Sequence, residues 1–380
     1  MNARAGQMID WDLAVSTGVR LVPAGPPVSR DEAADAVAQL RDFALRAQSH
    51  VRDYTGLIAP ADTGLVAVID RPGWIRANAE GLRIMLAPLV ERMEQRREVM
   101  EVFAGPAAAA AAAIGPKVTG AEAGSLLAFL ATKVLGQYEL FPPSAGIGAG
   151  DRPDPAPGRL LLVAPNIVSA EREMGVDPRD FRLWVCLHEE THRVQFSAVP
   201  WLRQHLLDEV RAYLDETDID PAALAERLRD AVAAVVDTVR GAAEGTTLLE
   251  AVQTPTQREI LDRLTAVMSL LEGHADVVMD GVGPEVVPSV GVIRDRFQRR
   301  RAGRGWADQL LRRLLGLDAK MRQYQEGAAF VRHVVDAVGR DGFNRVWSGP
   351  HMLPSKVELT DPAAWVARVH AGSPPEALEG

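Results

Sequence analysis

Residues 178–196 read PRDFRLWVCLHEETHRVQF, and this stretch decides how the rest of the sequence is interpreted. Its apolar residues recur at helical spacing, and His188 and His192 lie on the same stripe. Asp177 supplies an N-cap directly before a proline at the first helical position. The pattern therefore predicts a helix that carries two histidines, four residues apart, on one largely buried face.

The residues at 188–192 are His-Glu-Glu-Thr-His, a match to the H-E-x-x-H pattern. Two histidines one helical turn apart can both reach one zinc ion, so His188 and His192 are predicted metal ligands. Glu189 is turned by roughly 100° around the helix, which places it to act as general base toward the water that the metal activates. The alternative is two core histidines satisfied by hydrogen bonds. Cys186 faces away from His188 and is interpreted as a packing residue.

A second segment, residues 270–276, has the composition of a companion site. Glu272 lies at the edge of an apolar helix face, where a carboxylate is costly unless it meets a cation, and it is the predicted third ligand. Asp276, one turn later, is predicted to accept the outer N–H of a liganding histidine. His274 points roughly opposite to Glu272 and is the runner-up ligand, and Gly273 is expected to allow the metal helix to approach closely. The alternative is a solvated acid cluster at a helix edge.

A glutamate with an aspartate four residues on, downstream of H-E-x-x-H, resembles the gluzincin-type metallopeptidases. Over roughly residues 30–370 the chain resembles the zincin-like metallopeptidase family of bacterial proteins, some of which are described as hydrolases or as associated with deazaflavin-coenzyme biosynthesis. The segments that carry this resemblance are 70–74, 164–167, the two metal segments, and 320–324 with Gly327. The resemblance implies a mainly helical fold and a zinc site, and it implies no particular substrate.

The periodicity along the chain predicts a mainly α, zincin-like helical fold with a small β element before the H-E-x-x-H helix. The β element is the short apolar run Arg159–Val163, with which residues 138–141 are expected to pair. Predicted helices cover residues 30–52, 73–101, 103–136 with a break at Gly115-Pro116, 178–196, 200–214, 221–242, 256–280, 306–335 and 361–370. The predicted organisation is an N-terminal extension (1–28), a single unit (29–370, with a helical lobe at 29–141 and the metal-site region at 159–370) and a flexible tail (371–380), with a Pro/Gly loop at 142–158.

The rest of the predicted cleft rests on weaker patterns. Residues 159–166 are interpreted as an edge strand that pairs with an extended peptide, and Asn166 as a substrate contact, although the strand could instead simply close the fold. Tyr324 is the first choice for the donor to the oxyanion, with His333 and His351 as further candidates. A buried tyrosine bonded to a backbone carbonyl is the alternative.

Composition limits the remaining possibilities. The formal net charge of −9 argues against general nucleic-acid binding. A single cysteine fits a reducing compartment, and with no signal peptide or membrane span in the sequence a cytoplasmic location is expected. Residues 294–304 carry six arginines, which indicate a solvated loop or, alternatively, a site for acidic or phosphate-bearing ligands.

These patterns together predict a zinc-dependent metallopeptidase or amide hydrolase that acts on a peptide or a small amide. Two alternatives remain, a catalytically inactive zincin-like binding or assembly module and a zinc hydrolase of a small molecule. The oligomeric state is not predicted.

Overall fold

The computed structural model describes residues 9–60, 66–101, 106–140, 158–216, 254–302 and 317–371. Within them the prediction of a mainly helical fold with a small β element is confirmed. The predicted helix at 221–242, the tail from 372 onward and the Pro/Gly loop, apart from residue 158, lie outside the described residues. Among the described helices, none combines the length and the apolar character that a membrane span requires.

The N-terminal helices are α1 (Trp11–Leu21), α2 (Arg30–Thr55), α3 (Arg71–Glu101) and α4 (Pro106–Leu130). The middle of the chain contains α5 (Ala164–Met174), α6 (Pro178–Ala198) and α7 (Pro200–Asp215). The C-terminal helices are α8 (Pro255–Val282), α9 (Val290–Ala302), α10 (Leu317–Asn344), α11 (Lys356–Thr360) and α12 (Pro362–His370), with short 3-10 turns at Arg345–Trp347 and Pro350–Met352. A kink at Gly339, where φ is 72°, interrupts α10.

Helix α4 corrects one expectation from the sequence. A break was expected at Gly115-Pro116, but the helix continues through Pro116. The backbone N–H of Asp10 donates to the carbonyl oxygen of Pro116. Gly120 and Gly124 face the backbone of the α1 segment so closely that a methyl group at either would overlap with it. Helix α1, which lies within the predicted N-terminal extension, therefore packs tightly on α4.

Three short strands form one sheet in the order β1-β3-β2, with β1 at Val66–Ile69, β2 at Gly136–Glu139 and β3 at Arg159–Val163. Strands β1 and β3 are parallel, and β2 and β3 are antiparallel. The predicted pairing of residues 138–141 is confirmed for Tyr138 and Glu139, and the strand begins two residues earlier, at Gly136. At the end of β2, the buried Glu139 pairs with Arg159 at 2.8 Å. Burial raises the pKa of the Glu139 carboxyl, and the guanidinium of Arg159 opposes that shift.

The contacts divide the chain into two compact units, Met1–Ala198 with Val278–Ala302 and Val199–Val277 with Gly303–Gly380. The core of the first unit is built mainly by α2, α5 and α6. The second unit buries side chains from α7, α8, α10 and α12, among them Leu202, Leu271, Phe330 and Trp365. The domain boundaries predicted from the sequence stay a prediction.

Candidate metal centre

Helix α6 presents the first half of the candidate site. The carboxylate of Asp177 accepts the backbone N–H groups of Arg179 and Asp180, which is the predicted N-terminal cap. The apolar side of the helix is buried in the core of the first unit, with Phe181 and Trp184 stacked at 5.9 Å between ring centroids. His188 and His192 are half-buried. A fixed helix with one side in the core thus holds both imidazoles at a defined position.

The two imidazole rings converge through one pair of atoms. The Nε2 atoms of His188 and His192 lie 3.2 Å apart, and the ring planes are nearly perpendicular. Two nitrogen ligands at 2.0–2.1 Å from a tetrahedral zinc ion would lie about 3.3 Å apart. The spacing therefore suits two ligands of one ion.

Glu272 belongs to the same group of possible metal ligands. One ligand atom from each of His188, His192 and Glu272 lies within 4.8 Å of the other two. Two histidines and one glutamate are a donor set of catalytic zinc sites, in which the fourth position is left for water or substrate. The chemistry and the spacing of these residues fit a zinc ion.

Glu189 follows His188 in the chain and is 6% exposed. Strand β2 lies directly beside it. A methyl group at Gly136 would lie 2.5 Å from Cγ, 2.6 Å from Cδ and 2.7 Å from Oε1 of Glu189. Since all three contacts are shorter than van der Waals distance, only a glycine fits beside the carboxyl group as it is placed.

The ring nitrogen of His192 that faces away from His188 also has a side-chain partner. Its Nδ1 lies 2.9 Å from Oε1 of Gln195, which is fully buried. The sequence pattern indicates this kind of support at Asp276 and does not single out Gln195. The only signal was its position, three residues after His192 on the same helix face. The role of Asp276, which is half-buried on α8, stays a prediction.

The two middle residues of the H-E-x-x-H pattern stabilise the helix itself. Glu190 is fully buried and forms a double hydrogen bond with Arg193, one arm of which is 2.7 Å. Burial raises the pKa of Glu190, and Arg193 opposes the shift. Thr191 donates to the carbonyl oxygen of Leu187 at 2.8 Å.

Cys186 lies in the core and does not belong to the group of possible metal ligands. Its thiol contacts the carbonyl oxygen of Leu40 at 3.7 Å. Burial raises the pKa of this thiol well above its usual value, and nearby Glu189 adds to the shift. A protonated, buried thiol fits the packing role that the sequence indicates.

Helix α8 places Glu272 and removes His274 as a ligand candidate. The helix begins with the predicted capping box, in which Thr254 and Gln257 each accept the other's backbone N–H. The imidazole of His274 is buried between the rings of Phe343 and Trp347, at centroid distances of 5.3 and 5.4 Å. Its role is therefore aromatic packing in the second unit.

Gly273 has a different partner from the one expected. The sequence suggested that its missing side chain admits the metal helix. A methyl group there would instead lie 2.2 Å from the backbone carbon of Gly327. The close approach is thus between α8 and α10.

Strand β3 is not an edge strand, which corrects the peptide-binding interpretation of residues 159–166. It lies between β1 and β2, and the segment becomes helical at Ala164. Asn166 lies in the first turn of α5, where it is buried. Its amide donates to the carbonyls of Ala131 and Val134, at 2.7 and 2.6 Å, and accepts from Arg71 at 2.7 Å. These contacts connect three segments of the first unit and account for the side chain structurally, so we do not retain a substrate contact here.

For the candidate oxyanion donors, the described part of the chain shows no contact with the site. The side chain of Tyr324 lies outside them, although its backbone belongs to α10. His333 and His351 are both exposed. Tyr324 therefore stays a prediction.

The arginine-rich stretch forms a helix where a solvated loop was expected, with residues 303–304 outside the described part. Arg296 donates to the carbonyl oxygens of Met174 and Gly175, at the end of α5. Arg300 pairs with Glu173 at 2.6 Å. Cations at a helix C-terminus satisfy its last carbonyls, so these arginines serve the fold.

Comparisons with known proteins give two matches that cover most of the chain. The profile of a family described as zincin-like metallopeptidase matches residues 9–366. A protein from Chloroflexus aurantiacus, described as a candidate hydrolase with a novel fold, is 31% identical, with 95% of this chain and 98% of that one covered and a TM-score of 0.66. Among curated proteins none matches. With the His-His-Glu donor set, these matches support a zinc hydrolase at the level of the family. The chain belongs to the zincin-like metallopeptidase family.

Proposed function

We propose that the protein is a zinc-dependent metallopeptidase or amide hydrolase in which His188, His192 and Glu272 hold the metal and Glu189 is the general base. One observation carries the proposal: the two Nε2 atoms lie 3.2 Å apart, and a carboxylate oxygen of Glu272 lies within 4.8 Å of both ligand nitrogens. Two histidines and one glutamate grouped in this way support the proposal of a catalytic zinc site.

Zinc, when bound, supplies a Lewis acid that polarises the substrate carbonyl and makes water more acidic. Glu189 accepts the proton of the attacking water and returns it to the leaving nitrogen. Its side chain is largely shielded from solvent, and the absence of a side chain at Gly136 leaves room for its carboxyl group. Tyr324 is our proposed donor to the oxyanion.

The sheet supports an extended peptide as the substrate. In an antiparallel pair, every second residue of a strand is hydrogen-bonded to its neighbour strand. The N–H of Val163 donates to the carbonyl of Leu135, so the next residues of this segment that bond to β3 are Gln137 and Glu139. The backbone N–H and C=O of Gly136 are directed away from β3, on the edge of the sheet. Because Gly136 is also the residue beside Glu189, a peptide paired with this edge would have its backbone next to the general base. We therefore assign the substrate-binding edge to β2 in place of residues 159–166.

Two features favour an enzyme over an inactive zinc module. Among the described residues the ligand group has three members, which leaves a coordination position open. Glu189 is present, and a purely structural zinc site requires no base and closes its fourth position with protein.

The test combines metal content with cleavage. Glu272→Ala is expected to lose the stoichiometric zinc of the wild type, whereas Glu259→Ala, an exposed glutamate on the same helix, is expected to keep it. Glu189→Gln is expected to keep zinc and to lose about 10²–10⁴-fold in cleavage of a quenched-fluorescent peptide library.

The outcomes separate the peptidase from its two alternatives. Cleavage by wild type and not by Glu189→Gln supports the peptidase. Stoichiometric zinc with no cleavage of any peptide would favour a small-molecule hydrolase or an inactive module. Zinc binding that survives Glu272→Ala would contradict the ligand assignment.

A further inference from the structure

We infer that Gln195 is a positioning residue for the metal centre: its side chain holds His192 with the proton on Nδ1 and the lone pair of Nε2 turned toward His188. The inference rests on the zinc site of the proposed function and adds a residue to it. Gln195 contacts the proposed ligand His192 and is not itself a proposed ligand, so its effect acts through His192.

The first step is the identity of the two atoms in contact. Oε1 of Gln195 lies 2.9 Å from Nδ1 of His192. An amide oxygen has no proton and can only accept, so Nδ1 must donate. A neutral imidazole carries one N–H, and Nε2 therefore keeps the lone pair that a metal ligand needs.

The second step is the direction in which Nε2 points. It lies 3.2 Å from Nε2 of His188, so the contact with Gln195 fixes the ring from the side opposite to the ligand group. Rotation of the ring about its bond to Cβ would break this hydrogen bond and, at the same time, move Nε2 away from His188.

The third step is the rigidity of the support. Gln195 is fully buried, and it lies on the same helix as His192, one turn away. A buried amide without this partner would lose a hydrogen bond that water cannot replace.

The experiment compares two substitutions of similar size. Gln195→Met removes the acceptor, and Gln195→Glu retains it. The matched control is Gln39→Met, because Oε1 of Gln39 also accepts a side-chain N–H at 2.9 Å, from Arg182. Zinc affinity is measured by competition with a chromophoric chelator. Protonation of the His192 ring nitrogens is measured by heteronuclear NMR in zinc-free protein, and thermal unfolding of zinc-free protein reports on the fold.

We expect Gln195→Met to weaken zinc binding by about 10–100-fold, the usual effect of losing an outer hydrogen-bond partner of a metal-bound histidine. Gln195→Glu and Gln39→Met are expected to stay close to the wild type. His192 is expected to carry its proton on Nδ1 in the wild type and to lose that preference in Gln195→Met. A purely structural role would lower the unfolding temperature without changing the ring protonation.

Wild-type zinc affinity in a folded Gln195→Met, or a proton on Nε2 of His192 in the wild type, would overturn the inference. If the wild type binds no zinc, the proposed function fails, and the inference about the metal centre fails with it; the NMR measurement then still decides whether Gln195 sets the ring protonation of His192. If Gln195→Met does not fold, the ring protonation in the wild type and in Gln195→Glu decides it.

Discussion

Replacing Gly273 with alanine tests how the helix that carries Glu272 is held. The added methyl group would lie 2.2 Å from the carbonyl carbon of Gly327, 2.4 Å from the nitrogen of Ala328 and 2.6 Å from the carbonyl oxygen of Gly327. A methyl group at Gly327 would meet the carbonyl oxygen of Ser269. All these atoms belong to backbone, so no rotation of a side chain can relieve the overlap.

The geometry gives the size of the effect. Ordinary van der Waals contact begins at 3.4 Å, so α8 and α10 must separate by about 3.4 − 2.2 = 1.2 Å at this point. Overpacking of this kind costs up to about 3 kcal/mol. Alanine returns about 1 kcal/mol of helix propensity relative to glycine. The expected result is a loss of about 2 kcal/mol in the free energy of unfolding.

Gly81 provides the matched control, because it lies within α3 and a methyl group there meets no atom within 4 Å. Gly81→Ala is expected to gain about 1 kcal/mol from helix propensity. Urea denaturation of the zinc-free proteins, followed by circular dichroism, measures both changes. Zinc affinity is expected to fall in Gly273→Ala alone, since Glu272 is the adjacent residue. Equal stability of the two variants would refute the argument from the helix crossing.

Three further predictions concern other supports of the site and the fold. Gly136→Ala is expected to displace the Glu189 carboxylate by about 1 Å and to lower peptide cleavage about 100-fold with zinc stoichiometry unchanged; full cleavage would contradict the contact. Burial raises the pKa of Glu139, so its contribution to stability is complete below the unfolded pKa of 4.5 and is lost as the pH rises through the higher folded pKa. Glu139→Gln is therefore expected to gain stability relative to wild type between pH 4.5 and neutral pH, measured by urea denaturation at both pH values; the opposite trend would contradict the assignment. Thr254→Ala removes the N-terminal cap of α8 and is expected to cost about 1 kcal/mol in thermal unfolding, and no loss would show that the cap is dispensable.

The metal helix could be predicted because its determinants are local. The cap at Asp177 and the i, i+4 spacing of His188 and His192 depend on a single helix, whose geometry is fixed. Glu272 could be proposed for a related reason, since a carboxylate against an apolar face indicates a cation. Its meeting with the histidines needed the tertiary structure, because many residues separate the two segments in the chain.

The sheet order could not be predicted because it depends on pairing between distant segments. The apolar run at Arg159–Val163 fits an edge strand and a central strand equally well, since burial on both faces gives no alternation. Only the parallel partner β1 decides between them. The same limit applies to Asn166, whose amide looked available until Arg71, 95 residues away, was placed beside it.

The arginine-rich stretch was misread for another reason. Arginine is a good helix former. However, the six arginines of residues 294–304 lie among mainly polar residues, and no apolar stripe marks a helix there. The carbonyl partners of Arg296, at Met174 and Gly175, come from a helix more than a hundred residues earlier. Composition alone therefore could not distinguish cations that cap a helix from cations that await a ligand.

One support of the site has a property that bears on how it works. Burial of Glu190 with Arg193 carries a desolvation cost that the ion pair only partly offsets. This unfavourable choice lies next to the proposed base Glu189. Such costs are reasonable where the position of a side chain matters more than the stability of the fold, because an error of about 1 Å in a catalytic group reduces the rate about 100-fold. Variants at these positions should therefore separate the two quantities: Gln195 and Gly136 should change metal affinity or cleavage with little change in unfolding, whereas Thr254 should change unfolding with little change in zinc affinity.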